Sequence, residues 1–92
     1  MSFLGPMTAT VAAVAATTAS TTLFTASASS GRNIYNASTA PCYLTFGTVS
    51  STTAYTTQIA ANTNYQFPDA CYCGPVTGYW AAVNGTAYTT QW

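Results

Sequence analysis

The sequence predicts an all-β protein: a small β-sandwich or jelly-roll-like barrel with an extended N-terminal arm. Three observations lead there. Between residues 31 and 92, runs of aromatic and β-branched residues are separated by turn signals at intervals of roughly 8–12 residues. Within the runs apolar and polar positions alternate, as where Cys42, Leu44 and Phe46 interleave with Tyr43 and Thr45. That alternation gives a strand one apolar face. Residues 1–30, by contrast, are mainly Ala, Thr and Ser, and bury too little apolar surface to fold alone. The expected organisation is an arm over residues 1–30 and a sandwich domain over 31–92.

Along the arm, Thr and Val favour extended backbone, and short strands are expected near Thr8–Val14 and Thr21–Ala26. An Ala-rich helix over residues 9–20 competes, against the weak helix propensity of Thr and the lack of caps or charge pairs. In the domain, Asn33–Ala37 reads as a strand. A second is opened by Ala40-Pro41 and closed by Gly47 and the Ser/Thr run after it. Tyr55, Thr57 and Ile59 share one strand face, and Tyr65 and Phe67 another, with a tight turn at Asn62-Thr63-Asn64 between them. Gly74-Pro75 precedes a strand through Val76, Gly78 and Trp80. Asn84-Gly85 suits a type I′ turn, and is expected to join Trp80–Val83 to Thr86–Trp92 as a hairpin.

Charge excludes most function classes. The 92 residues contain one basic residue, Arg32, one acidic residue, Asp69, and no His. One Arg cannot neutralise a run of phosphates or hold a protein on anionic lipid, so neither nucleic acid nor membrane is an expected partner. The usual acid–base pairs, triads and metal cages lack their residues, so no catalytic residue, metal site or cofactor is expected. Ser and Thr abound, but no His or Lys stands ready to activate a nucleophile.

Only 2% of residues are charged, against roughly 25% in an ordinary soluble domain. Soluble monomers also carry a net charge of magnitude about 2–8, where this chain has a formal charge of zero. Interfaces favour Tyr and Trp over Lys, Glu and Asp. Seven Tyr and two Trp therefore point to a surface held in an oligomer or larger assembly. A secreted bacterial surface domain is the alternative. Ala26-Ser27-Ala28 resembles a leader cleavage site, but residues 1–31 carry no Lys or Arg, and the apolar run Val11–Ala16 is short for a membrane span.

Phe3, Leu4, Val11, Val14, Leu23, Phe24, Tyr88 and Trp92 are the candidate interface residues. Trp80, Tyr79, Tyr88 and Trp92 suggest an aromatic cluster on the last hairpin, with Trp80 alternatively in the core. Arg32 and Asp69 are a candidate ion pair, or two unrelated exposed charges. Cys42, Cys71 and Cys73 read as small buried thiols, with a bridge from Cys42 to Cys71 or Cys73, or between subunits, left open. Asn36-Ala37-Ser38 and Asn84-Gly85-Thr86 match a glycosylation acceptor pattern, which is read as accidental.

Further residues carry a resemblance. They are Arg32-Asn33-Ile34-Tyr35-Asn36-Ala37-Ser38, Tyr43-Leu44, Phe46-Gly47, Tyr55-Thr56, Gln58-Ile59-Ala60-Ala61, Tyr65, Phe67-Pro68, Gly74, Val76, Gly78-Tyr79-Trp80 and Asn84-Gly85-Thr86-Ala87. Over roughly residues 21–92 the chain resembles a family of small virion proteins of tailed bacteriophages. The resemblance implies a β-rich structural module with no catalytic residues to carry over. The C-terminal Thr90-Gln91-Trp92 departs from the Thr-Glu-Leu-like ending of that family. The expected function is a capsid decoration (cement) protein on the outer surface of the phage head, assembled in the host bacterial cytoplasm. Its expected partners are the major capsid protein and copies of itself, as a trimer by shell geometry. A neck, tail or fibre-associated virion protein and a secreted glycan-binding adhesin are the alternatives.

Overall fold

The structure, a computed structural model, describes residues 8–68 and 70–92. Among them eight strands form two antiparallel four-stranded sheets. The strands are β1 (Thr10–Ala15), β2 (Thr21–Phe24), β3 (Arg32–Ser38), β4 (Cys42–Thr45), β5 (Thr57–Ile59), β6 (Thr63–Gln66), β7 (Val76–Trp80) and β8 (Gly85–Gln91). One sheet runs β1-β8-β3-β6 and the other β2-β7-β4-β5. The pairings β1–β8, β2–β7, β3–β6 and β4–β5 are those of a single long hairpin folded back on itself. Rolling it up adds the contacts β3–β8 and β4–β7, and the outcome is jelly-roll strand order. The expected all-β sandwich is thus the observed fold.

The alternating pattern explains the core. In β3, Arg32, Ile34, Asn36 and Ser38 face inward, while Asn33, Tyr35 and Ala37 face out. Cys42 and Leu44 of β4, Val76 and Trp80 of β7, Ile59 and Ala87 meet them between the sheets. At one end of the sandwich Phe67 gathers an aromatic group. Phe24 and Tyr65 pack edge-on to it at 5.7 and 5.5 Å, and Phe46 stacks between Phe67 and Tyr72 at 5.0 and 4.7 Å.

Two expectations need correction. The expected arm over residues 1–30 is, from Thr10 to Phe24, part of the sandwich. The backbone is extended as expected, and β1 and β2 lie close to the anticipated strands. They pair, however, with β8 and β7 of their own chain. Ala16, Leu23 and Phe24 are buried, and Val14 packs against the same core. A segment too poor to form a core needs only a few apolar side chains to join one that exists, and it covers sheet edges that would otherwise stand open.

The second correction concerns Asn84-Gly85. Strands β7 and β8 lie in different sheets, so the segment between them crosses the sandwich and is no hairpin. Asn84 lacks the positive φ that a type I′ turn requires; Gly85 alone of the pair has it, at 100°. The Asn84 side chain accepts a hydrogen bond from the Thr39 N–H at 3.3 Å. A Cβ on Gly85 would stand 2.5 Å from the Ala37 carbonyl oxygen. Gly85→Ala therefore combines backbone strain with a collision that β3 cannot relieve, and is expected to cost about 2–3 kcal/mol in a denaturant melt. The turn expected over Asn62-Thr63-Asn64 falls at Ala61-Asn62 instead, with Asn62 at φ 54°, since Thr63 and Asn64 already belong to β6; it too passes between sheets.

Candidate interaction surface

Arg32 opens β3 and is fully buried. Its guanidinium lies 4.7 Å above the Phe24 ring. Nη1 donates to the carbonyls of Tyr72 and Gly74 at 2.9 and 2.7 Å. Nη2 donates to those of Thr25 and Cys73 at 2.9 and 3.3 Å. Nε donates to Gln91 Oε1 at 3.1 Å. All five guanidinium donors are thus engaged. Carbonyl dipoles from two loops and one strand end solvate the charge in place of water. Of the expected pair, Asp69 lies outside the described residues, and Arg32 is no exposed loop charge. Hence, among the described residues, no charged side chain reaches the surface.

Arg32 also organises the cysteine loop. Cys73 Sγ lies 3.2 Å from the Ser29 carbonyl, 3.3 Å from that of Cys71 and 3.6 Å from Ser29 Oγ. Hydrogen bonding with Ser29 lowers the Cys73 pKa, whereas burial raises that of Cys71. Cys42 is deep between the sheets, and burial pushes its thiol up to about 12. All three thiols are free. In a native protein at pH 8, an aromatic disulfide reagent is expected to label Cys73 first and Cys42 only after unfolding. Between pH 9 and 12 the unfolded chain releases the Cys42 proton while the folded chain keeps it. Stability therefore falls by about 1.4 kcal/mol per pH unit in that window. Comparing alkaline denaturant melts with Cys42→Ala isolates this contribution.

A second polar centre is buried around Asn36. Its Nδ2 donates to the carbonyls of Ala40, Ile59 and Ala60 at 2.9, 3.1 and 3.2 Å. Its Oδ1 accepts from Ser38 Oγ and Trp80 Nε1, both at 2.9 Å. The acceptor-like triplet at Asn36 is therefore a structural network, closed to modification in the folded chain.

The outer face of the β1-β8-β3-β6 sheet is the broadest regular surface. Register places Ala13, Tyr88, Tyr35 and Asn64 in one row across it, and Val11, Thr90, Asn33 and Gln66 in the next. Val11, Tyr35 and Tyr88 are exposed. The surface is apolar or hydrogen-bonding throughout, and bears no charge. Val49, Tyr55 and Val83 are exposed on loops elsewhere.

The expected interface residues divide accordingly. Val11 and Tyr88 lie on this face, while Val14 is half-buried. Leu23 and Phe24 belong to the core, a correction that follows from the docking of β2. Trp92 is half-buried, its ring lying against Gly31, where a Cβ would come within 2.4 Å of it. Phe3 and Leu4 lie outside the described residues. The expected cluster of Trp80, Tyr79, Tyr88 and Trp92 does not form on a hairpin. Trp80 is in the core, and Tyr88 faces out. Tyr35, which is not among the expected interface residues, joins the exposed face; its place opposite Tyr88 depends on the β3–β8 pairing.

Among the described residues there is no pocket, no cluster of side chains able to hold a metal ion, and no helix long and apolar enough to cross a membrane. Comparison with protein-family models, with curated proteins and with solved structures finds no match.

Proposed function

We propose that this chain is a non-enzymatic virion structural protein, a decoration protein that binds the outside of a phage head and ties neighbouring capsid subunits together. The observation that carries the reading is the interior position of Arg32: the described surface is entirely uncharged. Such a surface gives up little solvation when covered, since few groups need charge-strength hydrogen bonds to water. A sheet face bearing Tyr35, Tyr88 and Val11 offers aromatic and aliphatic anchors of the kind that carry interface energy. The mechanism is mechanical. At ~25 cal/mol per Å² of apolar area, an interface of ~1,600 Å² provides ample gross stabilisation, most of it offset by the entropy of ordering. Attachment at many shell positions adds avidity. Tailed-phage membership rests on the sequence resemblance, and the jelly-roll strand order is compatible with it, since viral capsid domains use that architecture.

Copy number tests the position in the particle. A stained gel of purified particles should show this protein in copies comparable with the shell protein. A handful per particle would place it at the neck or tail and overturn the decoration role.

A further inference from the structure

The edges of the two sheets are unequal. β5 has three residues, β2 four with an irregular register at Thr22/Phe24, and β6 four. Shortness and irregularity are how sheet edges avoid unwanted pairing. β1 has neither protection. It is six residues long, Thr10-Val11-Ala12-Ala13-Val14-Ala15, in unbroken register with β8, without Pro or charge. No described strand pairs with its outer side.

Hydrogen-bond phase shows what that edge offers. The Ala16 N–H donates to the Gly85 carbonyl at 3.1 Å, one step beyond the β1–β8 ladder. Bonding alternates along an antiparallel ladder, so even-numbered residues of β1 bond to β8. The N–H and C=O of Val11, Ala13 and Ala15 therefore point to the open side. These same three residues project their side chains to the outer face of the sheet.

We propose that a second copy of this chain pairs with β1 across a two-fold axis at Ala13, joining two sheets into one of eight strands. A two-fold perpendicular to the sheet must match outward residues with outward residues, and bonding residues with bonding residues. Pairing Ala13 with its symmetry mate, and Val11 with the mate of Ala15, meets both conditions and uses all three free residues. About six backbone hydrogen bonds result. The cross-strand pairs are Val with Ala and Ala with Ala, so nothing repels and nothing clashes. The join continues the row Tyr35, Tyr88, Ala13 into its symmetric copy, doubling the uncharged face. The pairing is two-fold, where the trimer expected from shell geometry would be three-fold. It deepens the decoration reading, resting on it only for the use of the doubled face.

The test uses the full chain in solution. Sedimentation equilibrium should give twice the 9.5 kDa chain mass. Ala13→Lys places two ammonium groups beside each other on the axis and should shift the population to monomer with an unchanged melting profile at low concentration. Ala13→Pro removes an N–H that faces the open edge and should do the same, since the β8 ladder does not use it. In a Cys71→Ser, Cys73→Ser background, Ala13→Cys should cross-link to itself on mild oxidation. Bonded antiparallel partners sit ~5.5 Å apart at Cα, within disulfide range. Ala15→Cys, which faces Val11 of the mate, should not. A monomeric wild type, an Ala13→Lys variant as dimeric as wild type, or equal cross-linking from Ala13→Cys and Ala15→Cys would overturn the pairing. Loss of shell binding by Ala13→Pro in a protein that is monomeric throughout would also overturn it, and would assign the edge to a strand of the shell protein. Shell breakage in particles lacking the protein is read separately, and bears on the decoration role alone.

Discussion

Arg32→Ala is expected to lose about 3–5 kcal/mol, most of the stability of a chain this size. Its melting temperature should fall by roughly 12–40 °C, at about 4–8 °C per kcal/mol. The reason is the number of groups stranded together. The carbonyls of Thr25, Tyr72, Cys73 and Gly74 converge on one guanidinium; without it the Cys73 carbonyl keeps the Ser27 N–H at 2.9 Å and the Tyr72 carbonyl only the weak Cys71 thiol contact, while those of Thr25 and Gly74 lose their side-chain donor. Arg32→Met separates packing from hydrogen bonding. It keeps an apolar stem beside Phe24 yet removes the same five donors, so it should be nearly as damaging as Ala. Arg32→Lys retains the charge but brings three donors where five are used, and should recover only part of the loss. A melt of Arg32→Met within a few degrees of wild type would show that the contact is packing alone.

Asn36→Leu should cost about 3–4 kcal/mol in a denaturant melt, despite its similar size and greater hydrophobicity. Leucine would leave the Trp80 indole N–H and the carbonyls of Ile59 and Ala60 without their side-chain partner, while the Ser38 hydroxyl and the Ala40 carbonyl keep each other at 2.8 Å. Asn36→Asp sharpens the test. A carboxylate there would face three carbonyl oxygens, so the folded chain would favour the protonated form and raise that group's pKa above its ordinary value of about 3.9. The variant should then be least stable at neutral pH and recover as pH falls toward that value. An Asn36→Asp protein as stable at pH 7 as wild type would contradict the network.

Local pattern carried much of this fold into view. The alternation of Cys42, Leu44 and Phe46, the Gly74-Pro75 start of β7 and the short strands near residues 10 and 21 all depend on side chains close in sequence. Sheet partnership does not. Asn84-Gly85 is read locally as a hairpin, because nothing in the dipeptide tells that β8 binds β1 and β3 while β7 binds β2 and β4. The N-terminal segment reads as a separate arm for the same reason: its few apolar residues look insufficient until β7 and β8 supply the rest of the core. Arg32 was visible as an anomaly, a lone cation in a neutral chain. Its burial was not, since the five acceptors lie 7 to 59 residues away along the chain. Tyr88 and Val11, expected at an interface, are exposed, and so is Tyr35, which only cross-strand register brings beside Tyr88.

Particle strength decides whether an uncharged surface means what is proposed. Purified heads with and without this protein, heated or diluted abruptly from high salt, can be scored for release of their contents. Heads lacking it should open at lower temperature and under gentler dilution, and added protein should restore them. Heads that open identically with and without it, while binding none of the added protein, would contradict the account.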